Sequence, residues 1–233
     1  MLVEEKIDAV VDLLQEIERD YPPVALATSY SVEDMLLTDL VVKHAPGIRI
    51  ITLDTGRLPD ETYNLMHEVR NRYGDVVEIY TPDTEALQSF LRGNGVNAFY
   101  HSVDLRKQCC GVRKLEPLRR ALAGKQAWVT GLRREQSVTR VEMQIKEHDE
   151  LHNMPKFNPL LDWSEQEVWA YIRRFEVPYN ELHTQGYPSI GCAPCTRAIT
   201  EGEDVRAGRW WWENPQTKEC GLHAAKLTLR TEG

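Results

Sequence analysis

Residues 24–34 of the chain read VALATSYSVED, and the change of pattern within them decides the fold. Residues 24–27 are apolar and predict a short buried strand. The polar residues 28–34 then open a helix that continues to about His44. Backbone N–H groups at the start of such a helix bind anions, and the hydroxyl groups of Ser29 and Ser31 add donors. Because serines also cap helices when no ligand is involved, this loop alone does not establish a binding site.

The alternation of strand and helix continues along the chain. It predicts a doubly wound, mostly parallel α/β sheet whose strand-end loops gather at one edge, where such sheets bind ligands. The loop-rich C-terminal part, residues 176–220, is rich in Pro, Gly and Trp. We predict helices at 2–19, 59–73, 84–91, 109–122 and after the capping box that begins at Ser164, and strands at 48–53, 76–80 and 127–130.

Composition and charge argue against several classes of protein. The net charge of −8 disfavours nucleic-acid binding through a general basic face. No apolar run is long enough to span a bilayer, and residues 1–6 do not resemble a secretory signal, so we expect a cytoplasmic protein without membrane contacts. Basic residues nevertheless cluster at 106–114, 133–140 and 206–209, a pattern that suits a small anionic ligand.

Five cysteines form an adjacent pair, a C-x₂-C pair and a single residue: Cys109, Cys110, Cys192, Cys195 and Cys220. In a reducing compartment such clustering indicates metal binding or catalysis. The first four suit either a Cys₄ zinc site or a [4Fe–4S] cluster. Adjacent cysteines are awkward ligands for one tetrahedral ion, whereas a cubane offers several irons, so the spacing favours the cluster. A chance set of buried cysteines is the third alternative.

The remaining thiol, Cys220, lies between Lys218 and His223. Positive charge lowers the pKa of a thiol, so these neighbours favour a nucleophilic Cys220 over an inert one. If the other four cysteines are ligands, no internal thiol is left to resolve an adduct on Cys220. An external dithiol would then have to clear it by thiol exchange.

Seven motifs, in order along most of the chain, resemble those of the assimilatory adenylyl-sulfate (APS) reductases, which are related to the phosphoadenylyl-sulfate (PAPS) reductases. They are SYSVED at 29–34, LDTG at 53–56, CCGVRKxxPL at 109–118, TGLRRxQS at 130–137, IGCAPCTR at 190–197, GEDxRxGRWW at 202–211 and ECGLH at 219–223. The resemblance implies a sheet similar to that of ATP pyrophosphatase-type (adenine nucleotide alpha hydrolase-like) domains. The glycine-rich loop of those domains is replaced here by residues 29–34, which fits an enzyme that does not cleave ATP.

The resemblance also implies a reaction and its participants. It implies a [4Fe–4S] cluster on Cys109, Cys110, Cys192 and Cys195, and APS as the substrate, since the PAPS-specific branch typically lacks these four cysteines. Cys220 would attack the sulfur of APS, and thioredoxin or glutaredoxin would release sulfite from the adduct. Lys114 and His223 would assist, and the substrate would contact Ser29, Ser31, Asp54, Thr55, Arg133, Arg206 and Arg209.

We further expect residues 1–205 to form the nucleotide-binding domain with the iron–sulfur site, and residues 206–233 a C-terminal segment with a mobile tail that carries Cys220. The cluster would polarise the site or order Lys114 rather than pass electrons to the substrate. The sequence leaves the number of subunits open, a homo-oligomer included.

Three alternatives remain at this point. A PAPS reductase, or an enzyme that accepts both nucleotides, differs only in substrate. An ATP-dependent thiolating or adenylating enzyme on the same sheet would need a glycine-rich loop, where this chain has Tyr30 and Val32. An iron–sulfur redox sensor would need no reactive Cys220.

Overall fold

A six-stranded sheet with the strand order β3-β2-β1-β4-β6-β5 forms the centre of the molecule. The computed structural model describes residues 3–136, 140 and 142–214. The strands are β1 (Val24–Thr28), β2 (Arg49–Leu53), β3 (Val77–Tyr80), β4 (Ala127–Val129), β5 (Lys146–Asp149) and β6 (Met154–Phe157). Every pairing is parallel except that of β5 with β6.

Helices cover both faces of this sheet. They are α1 (Val3–Asp20), α2 (Val32–His44), α3 (Asp60–Tyr73), α4 (Thr84–Asn94), α5 (Val103–Cys110), α6 (Glu116–Leu122) and α7 (Glu165–Arg174). Alternate strand residues enter different cores, because side chains along a strand point to opposite faces. In β1, Leu26 packs in the larger core, to which α1, α2 and α7 contribute, whereas Ala25 packs in the smaller core with α6.

Local signals explain where the main helices begin. Ser31 caps α2 by accepting a hydrogen bond from the backbone N–H of Asp34. Ser164 and Glu167 form the complete capping box of α7 that the sequence predicts. In α1 the buried residues Val10, Leu14 and Ile17 repeat at helical spacing and face the core.

The predicted fold class is confirmed, and two details differ from the prediction. The helix expected at 109–122 begins at Val103, and a π-helical turn, Gly111–Leu115, divides it into α5 and α6. The strands β5 and β6 were not predicted, because β5 contains only charged and polar residues and β6 is a four-residue strand interrupted by Pro155 and Lys156. Within the loop-rich region, short 3₁₀ turns form at Glu181–Gln185 and Ala193–Cys195.

In the described part of the chain, every helix is too short or too polar to cross a bilayer.

Candidate active site and cysteine cavity

A cavity of about 230 Å³ opens at the carboxyl ends of β1, β2 and β4, where the polar loops were expected to meet. Its floor is apolar and includes Ala27, Leu53 and Leu118. Hydroxyl groups and basic side chains surround this floor. The combination suits a ligand with a flat apolar part and an anionic part.

The loop at the end of β1 supplies the hydroxyl side of the cavity. Ser29 donates to Asp34 Oδ2 from its backbone N at 2.6 Å and from Oγ at 2.7 Å. Ser31 caps α2, and both serines line the cavity. Ser31 can therefore cap the helix and still face a ligand in the cavity. Burial raises the pKa of Asp34 to about 6, and the hydrogen bonds from Ser29 oppose that shift.

Four basic residues line the same cavity: Lys114, Arg140, Arg206 and Arg209. The Arg209 guanidinium is almost completely buried and donates to the carbonyl of Ile190 at 3.2 Å. It lies directly over Gly191, since a Cβ on that residue would come within 2.3 Å of Arg209 Nη2. The glycine therefore makes room for a cation that faces the cavity.

Two of the predicted substrate residues lie elsewhere. Arg133 does not line the cavity; its buried guanidinium pairs with Glu33 at 2.8 Å and with Glu135 at 3.1 Å. Asp54 does not line it either, because its Oδ1 accepts hydrogen bonds from the backbone N of Gly56 and from Tyr63 Oη. Both residues shape the loops around the cavity.

The structure also adds residues that the sequence reasoning did not assign. Arg140 belongs to the basic cluster at 133–140, but nothing in the sequence says that it, and not Arg133, faces the cavity. Gln136 Oε1 accepts a hydrogen bond from Arg140 Nη1 and another from the backbone N of Arg133. Gln136 thus orients Arg140, and the TGLRRxQS motif was the available signal. Cys220 and His223 lie outside the described residues.

The four cysteines of the two pairs meet at a second, smaller cavity. Cys109 and Cys110 end α5, whereas Cys192 precedes a 3₁₀ turn and Cys195 is its last residue. All four are free thiols. Burial raises the pKa of Cys195 to about 12; neighbouring Cys192 acts in the same direction, and Lys114 opposes it. Metal binding at these thiols would therefore release protons.

Spacing and surroundings test which metal group these residues fit. Across the described residues, no three His, Cys, Asp or Glu side chains are grouped closely enough to hold one metal ion. Four thiols that line one cavity, two of them adjacent in the sequence, form a donor set that a [4Fe–4S] cluster can bind at separate irons. Basic side chains that offset thiolate charge line the cavity: Arg57, Arg106, Arg113 and Lys114.

Two buried donors point to the same conclusion. Arg113 Nε and Trp210 Nε1 find no hydrogen-bond acceptor among the described residues, and both side chains line the cysteine cavity. Buried polar groups are normally paired, and an unpaired one often marks a missing ion. Sulfur atoms of an iron–sulfur cluster would supply acceptors. The donor set and its surroundings therefore fit a [4Fe–4S] cluster.

The two cavities are neighbours. Lys114 lines both of them, and Thr55 lines the larger cavity while its Oγ1 lies 3.2 Å from Cys192 Sγ. Lys114 lies in the π-helical turn that directly follows Cys110. A π turn inserts one residue into the helical repeat, so it changes the direction of the side chains that follow; such turns are frequent at functional sites.

Fold and cavities define the class: a doubly wound α/β protein with a basic, hydroxyl-rich cavity at its strand ends and a cysteine cavity beside it. Residues 23–198 match the family described as phosphoadenosine phosphosulfate reductase domain. The chain therefore belongs to this family.

Individual relatives agree with this assignment. The chain is 57% identical to an adenosine 5'-phosphosulfate reductase of Allochromatium vinosum, over 95% of this chain and 87% of the relative. A crystal structure of phosphoadenylyl-sulfate (PAPS) reductase from Candida auris is 29% identical, with a TM-score of 0.68 over 84% of this chain and 96% of that one. Candida glabrata FMN adenylyltransferase is 14% identical, with a TM-score of 0.57 over 93% of this chain and 77% of that one, and so shares only the fold.

Proposed function

We propose that the protein reduces adenosine 5'-phosphosulfate (APS) to sulfite and AMP in assimilatory sulfate reduction. The proposal rests above all on the cavity at the strand ends, where an apolar floor suits adenine and four basic side chains suit a phosphosulfate. The name of the 57% identical relative supports APS as the nucleotide.

The described residues then have distinct binding roles. Lys114, Arg206 and Arg209 hold the phosphosulfate, with Arg140 as a fourth cation on the cavity wall. Arginine offers two donors in a fixed geometry that matches an oxyanion. Ser31, whose hydroxyl group keeps its proton, donates to the phosphate side, where Ser29 also lines the cavity and holds Asp34. Thr55 lies near the nucleotide.

Cys220 is the proposed nucleophile. Its thiolate attacks the sulfur of APS, a Cys220 Sγ–sulfur bond forms, the sulfur–oxygen bond to the phosphate breaks, and AMP leaves with that bonding pair. The enzyme then carries S-sulfocysteine, which is covalent catalysis. His223 assists by lowering the pKa of the Cys220 thiol.

A reduced dithiol protein, thioredoxin or glutaredoxin, completes the cycle. Its first thiolate attacks Cys220 Sγ and forms a mixed disulfide, and sulfite leaves with the electron pair of the broken S–S bond. Its second thiol then resolves the mixed disulfide and regenerates Cys220. The dithiol loses two electrons and the sulfur of APS gains two, so the reaction balances. Its need for a reduced dithiol fits a cytoplasmic location.

Cys109, Cys110, Cys192 and Cys195 would hold the [4Fe–4S] cluster. When bound, the cluster would supply electrostatic polarisation beside the substrate and would not serve as the electron donor. Lys114, which lines both cavities, would be the residue through which its charge reaches the phosphosulfate. We also propose that residues 206–233 are the segment that brings Cys220 to the nucleotide-binding domain, 1–205.

Sulfur-labelled nucleotides test this function directly. We expect anaerobically purified protein, incubated with ³⁵S-labelled APS and no reductant, to acquire label on Cys220, and the Cys220→Ser variant to acquire none. Added thioredoxin should release the label as sulfite. Label transferred only from PAPS would overturn the choice of substrate, and turnover by Cys220→Ser would overturn the mechanism.

Iron content and colour test the cofactor separately. We expect brown protein with about four irons per chain, as the [4Fe–4S] stoichiometry requires. Colourless protein that contains zinc would exclude the cluster. Iron that binds without any APS-dependent label would favour the sensor alternative.

A further inference from the structure

A buried ion pair joins helix α5 to the last described residues of the chain. Arg106 Nε lies 2.8 Å from Glu213 Oε1, and Arg106 Nη2 lies 2.7 Å from Glu213 Oε2. The two side chains are only 1% and 3% exposed. Two parallel charge-assisted hydrogen bonds hold the partners in one orientation, and solvent screens such a buried pair little.

An aromatic side chain extends this contact to both cavities. The Trp210 ring centroid lies 4.6 Å from the Arg106 guanidinium carbon and 4.8 Å from that of Arg209. The Trp210 backbone N donates to the carbonyl of Cys195 at 3.1 Å. Trp210 lines the cysteine cavity, and Arg209 lines the larger one. The ion pair is therefore one ring away from a cation that faces the proposed substrate.

The backbone at Trp210 is also held in an unusual conformation. Its φ angle is +41°, which side chains other than glycine rarely adopt. Such a conformation persists when surrounding contacts determine it. The Glu213 backbone N donates to the Trp210 carbonyl at 2.8 Å, so the ion pair and this turn stabilise each other.

The positions of the two partners in the sequence show which parts of the chain the ion pair connects. Arg106 precedes Cys109 by three residues on α5, and Glu213 precedes Cys220 by seven residues. From Asn214 to Cys220 the chain reaches about 20 Å at most. The position of Glu213 therefore limits the region that Cys220 can reach.

We propose that Arg106 and Glu213 act as positioning residues for the reaction: their ion pair anchors the start of the C-terminal segment on the cysteine-bearing helix, so that Cys220 is delivered to the substrate. Neither side chain lines the larger cavity, and Arg106 borders the cysteine cavity without being one of its thiols. This inference deepens the proposed function and rests on it. Loss of the pair slows adduct formation while leaving the nucleotide affinity and the iron content in place.

The Glu213→Gln variant tests the proposal, since it keeps the shape of the side chain but removes its charge. The buried Arg106 guanidinium then loses the charge of the Glu213 carboxylate. We expect the rate of APS-dependent labelling of Cys220 in a single turnover to fall about tenfold to a hundredfold, as for other small misplacements of reacting groups. AMP affinity should stay within about threefold, because the cavity residues are unchanged.

Hydrogen exchange gives a readout that does not depend on activity. We expect amides in peptides covering 205–214 to exchange faster in Glu213→Gln, and those of β1 to exchange as in the parent protein. The matched control is Glu116→Gln, which removes the charge from another two-bond Arg–Glu pair, Arg120–Glu116, on the surface of α6. It should change neither the labelling rate nor the exchange of 205–214.

A second variant covers the case in which the loss of only one charge of the buried pair prevents folding. The double variant Arg106→Gln with Glu213→Gln removes both charges of the pair and should fold, because removing both avoids the cost of leaving one alone. Its iron content is measured alongside, since Arg106 lines the cysteine cavity. We expect it to label slowly as well. Labelling at the parent rate in either folded variant, or a loss of AMP binding together with the rate, would overturn the proposal. Absence of labelling in the parent protein would instead overturn the proposed function, and the exchange experiment would still test the anchor.

Discussion

The close approach of Arg209 to Gly191 predicts that ligand binding depends on this glycine. In Gly191→Ala the new Cβ would overlap the guanidinium, whose end can move only by leaving its place at the cavity. We expect APS affinity, measured in a Cys220→Ser background to prevent turnover, to fall about tenfold or more, the usual effect of losing a charge-assisted contact.

Gly93→Ala is the control for this substitution. Gly93 lies in α4, and a Cβ there would meet nothing within 4 Å. Alanine is the better helix former, so this variant should bind APS normally and melt at an equal or slightly higher temperature. If Gly191→Ala binds APS as tightly as Gly93→Ala does, Arg209 does not contact the ligand.

The raised pKa of Asp34 predicts a pH dependence of ligand binding. With a pKa of about 6, Asp34 is mostly charged at pH 7 and mostly neutral at pH 5. Its carboxylate lines the cavity, so protonation removes a negative charge from beside an anionic ligand. We expect APS affinity in the Cys220→Ser background to rise about fivefold between pH 7 and pH 5 from this charge.

Adding Asp34→Asn isolates the contribution of this one group. The isosteric amide has no charge to lose, so its affinity should change less over the same range. APS itself keeps its charge there, because the phosphosulfate has no group that titrates near pH 6. Parallel pH profiles with and without Asp34→Asn would show that Asp34 does not control binding.

Residue types and motifs could be predicted from the sequence, but the direction of each side chain could not. Arg133 and Arg140 belong to the same basic cluster, yet Glu33 binds Arg133 away from the cavity and Gln136 turns Arg140 toward it. These partners come from separate parts of the chain. Only the folded chain decides which arginine faces the ligand.

Among the elements, α2, α3 and α7 share one buried carboxylate, that of Asp39. Tyr171 Oη of α7 and Tyr73 Oη of α3 donate to it at 2.6 and 2.8 Å, and Lys43 of α2 donates at 2.7 Å. We expect Tyr171→Phe to cost about 2 kcal/mol, because it removes a hydrogen bond to a charged acceptor. For a domain of this size, the melting temperature should fall by roughly 4–8 °C.

Tyr179→Phe is the matched control for this measurement. Tyr179 packs edge-on against Trp169, and the described residues show no hydrogen bond of its hydroxyl group. Its loss should change the free energy of unfolding by less than about 0.5 kcal/mol. Equal melting temperatures for the two variants would mean that the shared carboxylate contributes little to helix packing.

Elements with an apolar pattern were predictable, and those defined by their neighbours were not. β1, β2 and β4 are apolar because both faces are buried, so composition alone revealed them. β5 and β6 form a strand pair at the sheet edge whose polar side chains bind one another, as Lys156 binds Glu147. The π-helical turn Gly111–Leu115 could not be predicted for a similar reason, because helix propensity does not distinguish it from the α-helices on either side.

At the scale of the whole molecule, Lys114 connects the two cavities. We expect Lys114→Gln to slow labelling of Cys220 by APS about 10- to 100-fold, because it removes the charge-assisted contact to the phosphosulfate that we propose for Lys114. Iron content should not change. The rate is measured in a single turnover without reductant.

The control is Lys107→Gln on the exposed face of α5, which makes the same change of charge seven residues away. It should leave the labelling rate within about twofold, since an exposed charge at that distance is screened. Equal rates for Lys114→Gln and Lys107→Gln would remove Lys114 from the proposed chemistry.

Both cavities combine residues from distant parts of the sequence, and this limits what could be predicted about the site from the sequence. The larger cavity combines the ends of β1, β2 and β4 with Arg206 and Arg209, and the cysteine cavity combines 109–110 with 192–195. Ordered motifs revealed the participants. That Lys114 lines both cavities, and that Trp210 lies between two guanidinium groups, follow only from packing over long sequence separations.

The two outer strands of the sheet differ in how they meet the surroundings. β5 carries Lys146, Glu147, His148 and Asp149, and such charges discourage a second chain from adding a strand. β3 instead exposes Ile79, with 54% of its surface open. Unwanted aggregation at high concentration would therefore start along β3, and a lysine at position 79 would be a simple way to keep concentrated preparations clear.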